Sequence, residues 1–138
     1  MKTISALKYL MVLFLFSAMS CEEIILDNKT FKVGRESTFR INQLYTSTDG
    51  LYTLQINEIS DSRCPTGVQC IWQGEVTLKG EWTDNKLKSN VELHSVLKNM
   101  DKQPAGFTIQ IVDAKPYPVS GNESKPEDLV VTLLVQKK

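Results

Sequence analysis

Three cysteines, one histidine and a scatter of carboxylates are the residues of this 138-residue chain that could do chemistry. Cys64 and Cys70 stand close together in DSRCPTGVQCIWQGEV, Asp61 to Val76. Two such sulfurs can hold a metal, cycle between thiol and disulfide, or form a lasting bridge. Zinc sites pair a C-x2–4-C with a second pair of ligands, but here the spacing is C-x5-C and His94 is the lone histidine. A soft copper site could be imagined from Cys64, Cys70, His94 and Met100, yet nothing in their spacing supports that set. No metal and no cofactor is therefore expected. A thioredoxin-like couple needs C-x-x-C at a helix start, where the dipole lowers the thiol pKa, and this stretch has neither. A structural bridge fits best. Pro65 and Gly67 let the chain turn between the sulfurs, and a loop this small contributes about 2–2.5 kcal/mol by loop-closure entropy.

Hydrolytic chemistry has little to stand on. A catalytic triad needs a base beside a nucleophile and an acid that orients it. The chain has no G-x-S-x-G. His94, in VELHSVL, falls on the side opposite Val91 and Leu93 and reads as a solvated strand residue. Glu75 and Glu81 share one face of a strand, but that length of strand sets them roughly 20 Å apart, too far for a glycosidase pair. No catalytic residue is expected, and an envelope enzyme built on His94 is the weaker alternative. Three residues are candidates for binding instead. Arg63 could grip a ligand carboxylate or close an ion pair with Asp61. Trp72, two residues after Cys70, should face the side of the bridge, packed on it or left as a partly exposed recognition ring. Tyr117, between Pro116 and Pro118, either plugs the end of the domain or offers an apolar face with a polar tip.

The elements that must position these residues read as strands. Leu51 to Ile59 alternates, with Tyr52, Leu54 and Ile56 on one face, and GEVTLKGEW puts Val76, Leu78, Gly80 and Trp82 together. Lys86 to Leu97 groups Val91, Leu93 and Leu97, Phe107 to Ile111 alternates again, and Phe31 to Ile41 alternates around a turn at Gly34. Leu129 to Gln136 is a dense apolar run suited to a central strand. Ser47–Gly50 and Thr83–Asn85 are turn signals, Lys98–Gly106 is a loop, and Lys115–Asp128, with three prolines, is an irregular connection. No window carries a 3.6-residue stripe. The expectation is an all-β domain: an antiparallel β-sandwich of immunoglobulin-like kind, or a small, partly open barrel.

The N-terminus states an address. In MKTISALKYLMVLFLFSAMS, Lys2 and Lys8 precede an apolar run too short for a membrane span and a stretch of small residues, the layout of an export signal. The next residue is Cys21. Ala18-Met19-Ser20-Cys21 resembles a bacterial lipobox, which implies cleavage before Cys21 and lipidation of its thiol. Residues 1–20 then form a lipoprotein signal peptide, 21–30 a lipidated tether and 31–138 a single β domain. Two or more acyl chains make a stable membrane anchor. Position 22 is Glu rather than the Asp that retains enterobacterial lipoproteins at the inner membrane, so delivery to the outer membrane is expected, facing the periplasm or the surface. With Cys21 taken by lipid, Cys64 and Cys70 remain as a pair in an oxidising compartment. Without residues 1–20 the chain has 118 residues, 14 basic and 16 acidic side chains and a formal charge of −2. No basic patch suggests nucleic acid.

Asp61-Ser62-Arg63-Cys64-Pro65, then Gly67-Val68, Cys70, Trp72, Gly74 and Val76, resembles a recurrent signature of small exported bacterial proteins, many of them Bacteroidetes-type lipoproteins. A second part of the pattern is Gly106-Phe107-Thr108-Ile109 followed by Pro116-Tyr117-Pro118. The resemblance runs from about Phe31 and implies an exported β domain with a disulfide. It implies no activity. Gln73 stands where such proteins often have Ala, which is expected to be a surface change. The expected function is that of a lipid-anchored cell-envelope protein, a non-catalytic module that binds an envelope ligand or protein. A protease-inhibitor-like protective domain is a special case of it.

Overall fold

The computed structural model describes residues 29–122 and 124–138. The expected signal peptide, Cys21 and most of the expected tether lie outside the described residues. Alternation of apolar and polar side chains produces eight strands among the described residues: β1 (Thr30–Phe31), β2 (Glu36–Phe39), β3 (Leu44–Ser47), β4 (Tyr52–Asp61), β5 (Val76–Asp84), β6 (Leu87–His94), β7 (Phe107–Lys115) and β8 (Val130–Lys137). They make two sheets, one in the order β1-β3-β4-β5-β6 and one in the order β2-β8-β7. The sheets do not close on each other, so the barrel alternative gives way to a sandwich. All pairings are antiparallel except that of β1 with β3.

The core lies between the sheets. Leu54, Ile56, Ile59, Val76, Leu78, Trp82, Val91 and Leu93 come from the larger sheet. Phe39, Phe107, Ile109, Ile111, Val131, Leu133 and Val135 come from the smaller one. β8 is the middle strand of its sheet, as its apolar density suggests. Two bulges adjust the alternation. β4 slips in register between Ile56 and Glu58, so Ile56 and Ile59, three apart, are both buried. β7 slips between Ile111 and Asp113, which buries Ala114 instead of Asp113. An extra residue on one strand does this by resetting the period-two phase. Opposite the first bulge sits Gly80, paired with Ile56; a Cβ there would lie 2.4 Å from the Gln55 carbonyl oxygen.

The sandwich has two distinct ends. At one, Tyr52 stacks on Trp82 and meets the edge of Phe107, with ring centroids 5.4 and 4.7 Å apart. β4 and β7 both run away from this end and deliver the cysteine loop and the 115–128 connection to the other. Leu44–Ser47 is a strand that the sequence reading passed over. Leu97, expected on the core side with Val91 and Leu93, is about half exposed because β6 stops at His94.

Candidate functional site

The cysteine loop leaves β4 at Asp61 and rejoins β5 at Val76, and its neck is zipped. Ser62 N–H donates to the Glu75 carbonyl at 2.8 Å, and Cys64 N–H to the Gln73 carbonyl at 2.9 Å. The Ser62 hydroxyl donates to the Glu75 carbonyl and accepts from the Glu75 amide. The two sides approach so closely that only glycine fits at 74: it has φ +67°, and a Cβ would lie 1.8 Å from the Ser62 carbonyl oxygen. Beyond the neck, Cys64 and Cys70 are joined as a disulfide, so neither is a thiolate ligand.

Arg63 and Asp61 act as a bolt. The Arg63 guanidinium donates to both Asp61 carboxylate oxygens, at 2.8 and 2.6 Å, then reaches the Ala114 carbonyl at 2.8 Å and the Pro116 carbonyl at 3.0 Å. Its hydrogen bond with Asp61 pushes the Arg63 pKa up against the effect of burial. Both side chains are largely enclosed, at 13% and 8% exposure. Tyr117 lies under the guanidinium, 4.6 Å from ring centroid to Cζ. Thr66 completes the join: its N–H donates to the Pro118 carbonyl at 3.0 Å, and its carbonyl accepts from Ser120 N–H at 3.2 Å. The two loops singled out in the sequence, 61–74 and 115–128, thus form one continuous end of the molecule.

The three binding candidates have different fates there. Arg63 is turned inward, with its fork engaged by Asp61 and two carbonyls, and so holds the loops rather than reaching for a ligand. Tyr117 does not plug the sandwich; it is half exposed and stacked on Arg63. Trp72 does not pack on the disulfide; it is 83% exposed, beside a fully exposed Ile71. Val68 and Val119 are also about half exposed. The sequence reading missed Ile71, Val68 and Val119. A signal for them was present: Cys64–Gly74 and Pro116–Asn122 contain no charged side chain.

Beside Trp72 runs a groove of about 380 Å³, lined also by Gln73, Val96, Leu97 and the Ser62–Glu75 neck. Glu75 braces its wall. One carboxylate oxygen accepts from the Leu97 and Val96 amides at 3.1 and 3.3 Å, and the other lies 3.3 Å from His94 Nδ1. Burial alone would push the Glu75 carboxyl up, but the Leu97 amide, His94 and the Val96 amide together hold it below its ordinary value. His94 is therefore not the solvated residue expected from its strand position: it is buried against Glu75, and its own amide donates to Asp101 at 2.7 Å. A carboxylate–histidine pair is an element of many active sites. Among the described residues, however, no hydroxyl or thiol is hydrogen-bonded to the His94 ring. Glu75 is also tied to the backbone at the corner after β6. Glu81 is engaged separately with Lys88 at 2.7 Å.

No family model, no curated protein and no solved structure matches the chain.

Proposed function

We propose that the protein is a lipid-anchored module of the bacterial cell envelope, probing its surroundings with the disulfide-braced end of the sandwich and catalysing nothing. The observation that carries this reading is the exposure of Trp72 and Ile71 on a loop whose base is zipped, bridged and bolted. Large apolar side chains on a preformed loop lose little ordering entropy on binding, and loops on a rigid β scaffold are where recognition usually sits. The lipobox-like Ala18-Met19-Ser20-Cys21 supplies the anchor and the export signal supplies the compartment.

The test uses residues 22–138, which lack the anchor, mixed with isolated cell envelopes and sedimented. Wild-type protein should co-sediment and Trp72→Ala should not, with both melting at the same temperature because the side chain is exposed. Equal co-sedimentation of the two would remove this end of the molecule as the binding surface. The anchor is checked separately: full-length protein should fractionate with membranes and Cys21→Ser should not.

A further inference from the structure

We propose that the surface recognised by the braced end is the lipid bilayer itself, so that the domain docks loop-first on the membrane to which it is tethered. The inference rests on the binding-module reading above and names its partner.

Three observations carry it. The first is chemical. In a chain of which 23% is charged, Val68, Ile71, Trp72, Tyr117 and Val119 are presented by Cys64–Gly74 and Pro116–Asn122, which hold no charged residue, while Lys115, Lys125, Glu127 and Asp128 stand exposed in the flanking parts of the 115–128 connection. A protein partner is usually met by an apolar patch with a charged or polar rim that sets register. An uncharged patch that exposes an aliphatic residue and an indole suits the headgroup boundary, where aromatic rings with one polar edge settle.

The second is directional. β1 pairs in parallel with β3, and β3 is antiparallel to β4. Since β4 runs toward the cysteine loop, β1 runs away from it, and its first residue, Thr30, faces the cysteine-loop side. The third is length. Thr30 is level with Thr46, and Thr46 with Thr53. From Thr53 to Asp61 along β4 is about 25 Å. The nine steps from Cys21 to Thr30 reach at most about 32 Å. A tether of that length is long enough to let an anchor on Cys21 lie level with the cysteine-loop end. An anchored domain meets the bilayer at high effective concentration, so a few shallowly buried side chains suffice to hold its orientation.

The experiment couples Cys21 of residues 21–138 to a maleimide lipid in phosphatidylcholine vesicles, some with brominated acyl chains. Emission from Trp72 is read against a Trp72→Phe control that isolates buried Trp82. Trp72 should shift to the blue, lose emission to bromine near the headgroup boundary, and become shielded from aqueous acrylamide. Added salt should change none of this, because the side chains that enter the bilayer are uncharged. Ile71→Asp, at a fully exposed position, should restore acrylamide access without altering the melt. Trp72 equally open to acrylamide with and without the bilayer would overturn the inference. If that result came with Trp72-dependent binding to isolated envelopes, the binding-module reading would stand and its partner would be a protein or glycan. If envelope binding failed as well, both readings would fall.

Discussion

Arg63 shows how a residue chosen for one chemistry can do another. Sequence placed it beside Asp61 and allowed either an ion pair or a ligand contact, because two residues of extended chain put both side chains on one face. The choice depended on carbonyls from Ala114 and Pro116, more than fifty positions away, which local spacing does not reveal. Removing the guanidinium leaves an enclosed Asp61 and two unmatched carbonyls. Arg63→Ala should therefore lower unfolding free energy by about 2–4 kcal/mol, and Arg63→Lys should recover little, since an ammonium cannot reproduce the fork. Urea titration of the three proteins checks this. Glu75 gives a pH signature. Its folded pKa lies below the ordinary 4.5, so on acidification the unfolded chain takes up the proton first. The stability it contributes is complete well above that value and is lost as pH falls through the lower folded one. The gap in melting temperature between wild type and Glu75→Gln should be full near neutral pH and close as pH falls below the ordinary carboxyl range. A gap independent of pH would mean that the carboxylate's charge is irrelevant. Both partners of this pair were visible in the sequence, but not their meeting, which follows from the neck hydrogen bonds and the end of β6 at His94.

At the scale of elements, four long strands were legible because alternation has no other economical reading, and β8 was legible as a short dense apolar run bounded by turn signals. The bulges were not, since an extra residue at Asn57 or Val112 resembles its neighbours and only the partner strand reveals the slip. The four-residue β3 was too short to show a period. The cysteine loop is the element whose integrity can be dissected. Replacing Cys64 and Cys70 together by Ser should cost about 2 kcal/mol. The domain should still unfold cooperatively, because the Ser62–Glu75 and Cys64–Gln73 hydrogen bonds and the Arg63 bolt remain. Gly74→Ala should cost more than this double change, since its Cβ would collide with the Ser62 backbone and force the neck open. Thermal melts that rank the two variants in the opposite order would show that the disulfide, rather than the neck, sets the loop.

At the scale of the molecule, the sandwich depends on its last strand. β8 lies between β2 and β7 and contributes Val131, Leu133 and Val135, and Leu129 just before it is also buried. Each such side chain is worth about 1.5–3 kcal/mol when buried, against a total stability of about 5–15 kcal/mol. A chain ending before Leu129 should show no cooperative transition in calorimetry. The sequence conveyed the class of fold because apolar alternation is local; it did not convey which loops would share an end, because that depends on the order of strands. That order has a consequence for reach. β8 is antiparallel to β7 and ends beside Phe107, at the pole opposite the cysteine loop and the 115–128 connection. The body between them is about 30 Å long, the span of a nine-residue strand. A surface met by the loop end, as proposed above, would therefore be held about 30 Å from whatever meets the Phe107–Lys137 end, so that the sandwich would act as a spacer between the two.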